Sequence, residues 1–160
     1  MINATTIIDY TYSEFRDGIN TIAKSIRDSG WYPDYIVGVV RGGAVPAVYL
    51  SHNLKVPVVM VTWSASDASS DNESNAWIPE DLHEGKKILL VDDIVDGGDT
   101  IRELLEDWYL STAGLGKLPV DNLRVAAMYY NTSQDVKVDF FHHKIDRNEE
   151  PRWIVFPWEA

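Results

Sequence analysis

The segment from Lys87 to Glu103 carries the residues whose types and spacing could do chemistry. It reads KILLVDDIVDGGDTIRE, so a short apolar run is followed by two adjacent acids, a third acid, two glycines and a threonine. Gly97 and Gly98 let backbone N–H groups face one concavity ahead of a predicted helix, where the helix dipole favours an anion. This pattern predicts a phosphate-binding loop.

Three carboxylates stand beside this predicted loop, at Asp92, Asp93 and Asp96. Acids repel a phosphate ligand unless a cation or hydroxyl groups lie between them, so a Mg2+ ion or a sugar diol is expected here. The alternative interpretation is an ordinary turn with solvated acids. Because ligands of open α/β sheets bind at the carboxyl ends of the strands, the functional interpretation is favoured.

The elements that must position these groups alternate along the chain. Apolar runs rich in branched residues predict strands buried in a parallel sheet. These runs are Tyr35–Val40, Val56–Trp63, Ile88–Val91 and Val125–Tyr130. A further run, Val136–Phe141, alternates enough to predict an edge strand.

Capping-box spacing predicts two of the helix starts, because a Thr and an acid three residues later satisfy each other's backbone N–H groups. Thr11 and Glu14 open an amphipathic helix that extends to Gly30. Thr100 and Glu103 place the start of another helix near Thr100. Strands and helices in alternation predict βαβ units with right-handed crossovers.

A second glycine turn, Arg41-Gly42-Gly43, lies between a predicted strand and a predicted helix that has Pro46 in its first turn. The two glycines can expose N–H groups and Arg41 adds charge, which makes a second candidate anion site. Taken alone, the tripeptide is more typical of an ordinary strand-to-helix turn. Its combination with the acidic segment favours the anion site.

A stretch at about 64–76 consists mainly of Ser, Asp, Ala and Asn. It has too little apolar surface to offset its ordering entropy, and a loop of this length within a compact domain is usually a lid or disordered. Trp63 and Trp77 bracket the stretch and are predicted to anchor it. Near the other end of the chain, His142 and His143 lack a third donor at ligand spacing, which predicts surface residues and no metal site.

Composition limits the function classes. With 160 residues and 45% hydrophobic content, the chain fits a single domain with a substantial core. A formal net charge of -11 argues against binding to nucleic acid or to anionic membranes. The absence of cysteine excludes disulfides and thiolate chemistry. With no signal-peptide pattern and no membrane-spanning run, a soluble cytoplasmic protein is expected.

The acidic segment resembles the phosphoribosyl diphosphate (PRPP) motif of type I phosphoribosyltransferases. The carboxyl end, Trp-Ile-Val-Phe-Pro-Trp-Glu over 153–159, is similar to the ending of the xanthine-guanine/hypoxanthine branch of that family. The resemblance implies an α/β fold: a single domain over 1–160 with a mainly parallel twisted sheet flanked by helices. It also implies a flexible lid at about 64–76 and an aromatic base-binding segment at about 131–160.

The implied activity is transfer of the 5-phosphoribosyl group from PRPP to a purine base, with release of diphosphate and Mg2+ as cofactor. Guanine, xanthine or hypoxanthine would be the base, and a homodimer or homotetramer the assembly. The resemblance implies a general base at Asp96, and ribose and Mg2+ contacts at Asp92 and Asp93, with Glu159 as a further metal ligand. It implies that the 5-phosphate binds at Asp96, Gly97, Gly98, Asp99 and Thr100, and the diphosphate at Arg41, Gly42 and Gly43. The implied base contacts are Ile94, Asn131, Trp153 and Ile154.

The sequence departs from the family in two places. The predicted lid has no Lys, Arg or Tyr, and Asn131 stands where the family typically has a lysine that donates to the 6-oxo group of the purine. Lys137 or Lys144 could supply the missing charge. The rival interpretations are a noncatalytic PRPP or nucleotide sensor on the same fold, and a nucleotide phosphatase that uses the Asp pair.

Overall fold

The computed structural model describes residues 6–65 and 71–159, in which helices cover both faces of a five-stranded sheet. The strands are β1 (Ile7–Asp9), β2 (Tyr35–Val40), β3 (Val58–Thr62), β4 (Ile88–Val95), β5 (Leu123–Asn131), β6 (Phe140–Ile145) and β7 (Trp153–Val155). The helices are α1 (Tyr12–Ser29), α2 (Ala44–Leu54), α3 (Trp77–His83) and α4 (Asp99–Ser111). Short 3-10 turns lie at Ala113–Leu115, Val120–Asn122 and Pro157–Glu159.

The main sheet has the order β3-β2-β4-β5-β6, and all four strand pairs are parallel. This confirms the predicted α/β fold with a mainly parallel sheet. The order of the strands reverses between β2 and β4, because β2 leads outward to β3 on one side while β4 leads to β5 and β6 on the other. Ligands of open α/β sheets bind at the carboxyl ends of the strands at such a switch point.

Strand alternation divides the core into two layers. On one face of the sheet, Leu89 and Val91 pack with the helices α1 and α2. On the other face, Val37 and Leu90 pack with α3 and with Trp108 of α4. The central strands are buried on both faces, so they form a rigid base for the residues that follow their carboxyl ends.

Two helix starts test the capping predictions. Thr11 caps α1 as predicted: its Oγ1 accepts a hydrogen bond from the Glu14 N–H at 3.1 Å. α4 begins at Asp99, so the predicted start near Thr100 is confirmed, but the capping box at Thr100 and Glu103 is wrong, since Gly98 is the N-cap and there is no side-chain cap. Gly98 adopts φ 84°, a left-handed conformation that suits glycine and turns the chain directly into the helix.

The strand β4 extends to Val95 and not only to Val91, so Asp92 and Asp93 lie within the strand. The predicted edge strand was also displaced: β6 covers Phe140–Ile145 and not Val136–Phe141. The strand begins later in the sequence than predicted because the Gln134 side chain bonds both the N–H and the carbonyl of Val136 and holds that segment in a turn.

The displaced strand changes the environment of His142, which was predicted to be a surface residue. His142 is partly buried, and its Nδ1 lies 2.7 Å from the Tyr10 hydroxyl. Burial, and then the neighbouring His143, lower the pKa of His142.

A second, two-stranded sheet was not predicted. β1 and β7 pair in parallel, with Ile8 opposite Ile154, and this pairing attaches the aromatic carboxyl end to the start of the chain. In the described parts of the chain, no helix combines the length and the apolar character needed to cross a bilayer.

Candidate active site

Two clefts open at the carboxyl ends of β2 and β4. One, of about 430 Å³, is lined by the segment 92–101, and the other, of about 440 Å³, by the Arg41 turn together with Thr62, Trp63 and Ser64. Asp92 and Thr100 line both clefts. The structure therefore brings the acidic segment and the Arg-Gly-Gly turn together as two halves of one site, although about 50 residues separate them in the chain.

The loop at the start of α4 is built to hold an anion. The first N–H groups of a helix have no partner within the helix, and here they belong to residues that follow Gly98 and line the cleft. The φ of 84° at Gly98 would strain any other residue, and a Cβ there would also lie 2.7 Å from the Gln134 Oε1. Arg102 braces the loop, because its Nη2 donates to the Gly97 carbonyl at 2.7 Å and to the Asp99 Oδ1 at 2.6 Å.

Asp92 and Asp93, next to this loop, are buried acids whose charges repel each other. The Asp93 N–H donates to the Asp92 Oδ1 at 2.8 Å, and the Ile94 N–H donates to the Asp93 Oδ1 at 2.7 Å. Burial, followed by the charge of Asp93, raises the pKa of Asp92 well above the ordinary aspartate value. Burial also raises the pKa of Asp93, with a further contribution from the charge of Glu159. A cation at this point would relieve the repulsion.

The acidic side chains fit a magnesium ion that is shared with a ligand. No group of three or more His, Asp or Glu residues in the described ranges could hold a metal alone. Mg2+ in phosphate sites is usually held by one or two carboxylates together with substrate oxygens, which is what Asp92 and Asp93 offer. Glu159 lies close enough to affect Asp93, while its Oε2 accepts from the Phe156 N–H at 2.9 Å.

The Arg-Gly-Gly turn depends on close packing. A Cβ at Gly42 would lie 2.2 Å from the Asp93 Oδ2, and one at Gly43 would lie 2.3 Å from the Val91 carbonyl oxygen. The Gly43 N–H donates to the Val39 carbonyl at 2.8 Å. Contrary to the prediction, this N–H is therefore not free to bind an anion. The Arg41 side chain is exposed and lines the cleft, and the Val40–Arg41 peptide bond is cis.

Asp96 has a partner that the sequence did not indicate. Arg147 donates hydrogen bonds to both carboxylate oxygens of Asp96, from Nε to Oδ1 at 3.1 Å and from Nη2 to Oδ2 at 3.2 Å. The Arg147 Nη1 also donates to the Arg152 carbonyl, next to Trp153. Fifty-one positions separate Arg147 from Asp96, and no motif surrounds it, so no sequence signal marked this residue.

Asn131, predicted to contact the base, is instead a buried junction with 6% exposure. Its Nδ2 donates to the Asp96 carbonyl at 3.1 Å, and its Oδ1 accepts from the Ser133 N–H, the Ser133 hydroxyl and the Arg147 N–H. The amide thus joins the carboxyl ends of β4, β5 and β6. Direct contact with a base would require some of these bonds to break.

The other predicted base contacts lie around this junction. The Trp153 side chain is 61% exposed, so one face of its ring can stack with a ligand. Ile154 is buried, and Ile94 lines the cleft beside Asp96. On either side of β1, the Trp153 N–H donates to the Thr6 carbonyl and the Val155 carbonyl accepts from the Tyr10 N–H. The Ile154 carbonyl between them therefore faces the outer edge of the small sheet.

The predicted lid is described only at its ends, since residues 66–70 lie outside the described ranges. Asn72 bonds both the N–H and the carbonyl of Ser64, and Glu73 forms a bridge with Thr62. Asn75 Nδ2 donates to the Met60 carbonyl at 3.0 Å, and the Trp108 indole N–H donates to the Ser74 carbonyl at 2.9 Å. These polar bonds hold the loop ends. Of the two predicted anchors, Trp63 packs against the core, whereas Trp77 is 45% exposed and contacts the Tyr35 ring.

The chain is similar to the members of one known protein family. A family model described as a phosphoribosyl transferase domain matches residues 11–160. The xanthine-guanine phosphoribosyltransferase of Cereibacter sphaeroides is 28% identical over 128 residues, which cover 78% of this chain and 68% of the relative. The enzyme of the same name from Idiomarina loihiensis is 29% identical over 127 residues, covering 78% and 70%.

Solved structures agree with this match. The crystal structure of a purine phosphoribosyltransferase from Pyrococcus horikoshii superposes with a TM-score of 0.72 and 26% identity, covering 96% of this chain and 94% of that one.

Proposed function

The chain belongs to the phosphoribosyl transferase family, and from this premise we propose that it transfers the 5-phosphoribosyl group of PRPP to a purine base and releases diphosphate. The relatives named for xanthine-guanine phosphoribosyl transfer support a purine as the acceptor. A 6-oxopurine, namely guanine, xanthine or hypoxanthine, is the proposed base.

The observation that carries the proposal is the pair of clefts that share Asp92 and Thr100 at the switch point of the sheet. PRPP has a phosphate at one end and a diphosphate at the other, with a ribose between them. The helix N-terminus at Gly97–Thr100 suits the 5-phosphate, and the Arg41 turn suits the diphosphate. The two acids then meet the ribose hydroxyls, which are donors to carboxylates.

The reaction breaks the bond from the anomeric carbon to diphosphate and forms a bond to a purine ring nitrogen. Positive charge develops on the ribose as the bond to diphosphate breaks, so neighbouring carboxylates stabilise the transition state. Asp92 and Asp93 hold the ribose, and Asp96 accepts the proton that the base loses. A bound Mg2+ would neutralise charge on the departing diphosphate. Trp153 stacks on the purine and orients it.

The test is an assay of the purified protein with PRPP, Mg2+ and a panel of bases, with diphosphate release as the readout. Release that depends on a purine supports the proposal. Tight PRPP binding by calorimetry without diphosphate release from any base would favour a noncatalytic sensor on the same fold. Hydrolysis of a nucleoside monophosphate to free phosphate would favour the phosphatase.

A further inference from the structure

Arg147 pairs with Asp96, the predicted general base. Its guanidinium holds both oxygens of Asp96, while the Asp96 side chain remains 48% exposed and the Arg147 side chain only 20%. A partly buried bidentate pair of this kind has fixed geometry, because the planar guanidinium matches the carboxylate. The candidate general base, which lines the cleft, is therefore held in a fixed pair with a cation.

The backbone and the far end of the side chain fix Arg147 in place. Its N–H donates to the Asn131 Oδ1 at 3.1 Å, and its Nη1 donates to the Arg152 carbonyl. The residue thus connects the carboxyl ends of β4 and β5 with the segment that carries Trp153. It touches both sides of the space where a base would stack.

The guanidinium has donors left for a ligand. An arginine side chain has five N–H groups. Among the described residues, the Nε, one Nη2 N–H and one Nη1 N–H have acceptors. One N–H on each terminal nitrogen remains.

We propose that Arg147 is the specificity-determining residue of the base site and donates to the 6-oxo group of the purine while Asp96 accepts from its imidazole edge; this rests on the proposed function. A free 6-oxopurine with its imidazole proton on N7 presents a donor and an acceptor side by side. The pair of Asp96 and Arg147 presents an acceptor and donors side by side. A 6-amino group would instead place N–H groups against the guanidinium, so the same geometry rejects it.

Lys137 and Lys144, considered above as donors to the 6-oxo group in place of a lysine at position 131, are placed less favourably for this role than Arg147. The Lys137 Nζ lies 3.3 Å from the Asp139 Oδ1, and Asp139 accepts from the Val125 N–H near the start of β5, at the opposite end of the strand from Asn131. The Lys144 Nζ lies 5.2 Å from the centre of the Phe141 ring. Arg147 is the cation that the structure places against Asp96.

The test compares inosine 5-monophosphate with purine riboside 5-monophosphate, which lacks the 6-oxo group and with it the proton on N1; the Arg147 variants separate the contribution of the 6-oxo group. In the unsubstituted protein, we expect inosine monophosphate to bind about 10- to 100-fold more tightly by calorimetry, as for a hydrogen bond from a charged donor. In Arg147→Met, which keeps the stem and loses every donor, the two dissociation constants should agree within about twofold. Arg147→Lys, which keeps a charged donor, should restore part of the preference.

The matched control is Arg152→Met, which removes a guanidinium from the same segment. Its side chain pairs with Glu150 at 2.8 Å and not with Asp96, so the preference for inosine monophosphate should persist. If the role of Arg147 were purely structural, Arg147→Met would weaken the binding of both nucleotides equally and leave the ratio of their dissociation constants unchanged. That result would overturn the proposal. If Arg147→Met does not melt cooperatively, Arg147→Gln replaces it, with the ratio expected to fall by about threefold or more; an unchanged ratio again overturns it.

Failure of the proposed function gives a different result. If the unsubstituted protein binds neither nucleotide and releases no diphosphate with hypoxanthine, both proposals are overturned. If it is active but Arg147→Met keeps the preference, only the role of Arg147 is rejected.

Discussion

Asp92 and Asp93 are a buried pair of acids whose charges lower the stability of the protein without a ligand. Burial and mutual repulsion raise the pKa of Asp92 well above its ordinary value, so folding favours the protonated form. The contribution of this group is favourable below the unfolded pKa of about 3.9 and is lost as the pH rises through the folded value. At neutral pH the charged pair therefore destabilises the apo protein.

The first prediction follows from that sign. Asp92→Asn should raise the melting temperature of the apo protein by roughly 2–8 °C at pH 8, because the amide carries no charge and its oxygen still accepts from the Asp93 N–H. The gain should shrink towards pH 5. Differential scanning calorimetry across this range checks the trend, and a gain that grows as the pH falls would contradict it. PRPP affinity in Mg2+ should fall in the same variant.

Asp96 is the residue expected to take the proton from the base. Asp96→Asn should lower turnover by about 10²–10⁴, the usual share of a general base. PRPP binding should stay nearly intact, since the backbone N–H groups of 97–100 and the Asp92–Asp93 pair would still be there to bind the phosphate and the ribose. Steady-state kinetics with the preferred base, together with PRPP titration, separates the two effects. Unchanged turnover would remove Asp96 from this role.

The turn between β2 and α2 is the element most tightly matched to the site. In Gly42→Ala the new Cβ would lie 2.2 Å from the Asp93 Oδ2, so the turn or the acid must move at a cost of about 1–3 kcal/mol. We expect weaker PRPP binding, lower stability, or both, measured by calorimetry and urea unfolding. Gly114→Ala is the control, because nothing lies within 4 Å of its Cβ position. Equal behaviour of the two variants would show that the close approach is unimportant.

The junction at the end of β5 depends on Asn131. Asn131→Ala should reduce the free energy of unfolding by about 1–3 kcal/mol, because it leaves buried N–H and carbonyl groups without partners. Asn148→Ala, at an exposed position in the neighbouring turn, should change it by less than about 0.5 kcal/mol. Urea unfolding of the two variants measures both values. A neutral Asn131→Ala would argue that the junction is dispensable and that the amide is free for a base.

At the scale of the whole molecule, the remaining question is assembly. The resemblance predicts a homodimer or homotetramer, and the described surface keeps Leu110, Leu115 and Val120 more than half exposed. Burial of apolar side chains of this kind is what an interface between copies would supply. Light scattering should give about two or four times the chain mass of 18.1 kDa. A mass of one chain at micromolar concentration would contradict the prediction.

The sequence by itself determined the features that are local. The glycine turn before α4, the central strands, the Thr11 cap and the family resemblance could be recognised because each depends on residues within a few positions of one another. Two element boundaries differ from the prediction. α4 begins one residue before the predicted start near Thr100, and β6 begins four residues after the predicted start at Val136. Gly98 and Gln134 shape turns at these points that the hydrophobic periodicity does not show.

Only the tertiary structure decided which distant residues meet. Asp93 fills the space beside Gly42, Arg147 grips Asp96 across 51 positions, and Asn131 joins three strand ends. The pairing of β1 with β7 brings the aromatic end of the chain to the site. These contacts arise because parallel strands place all their carboxyl ends at one edge of the sheet, and the order of the strands, which local propensity does not encode, sets which ends are neighbours.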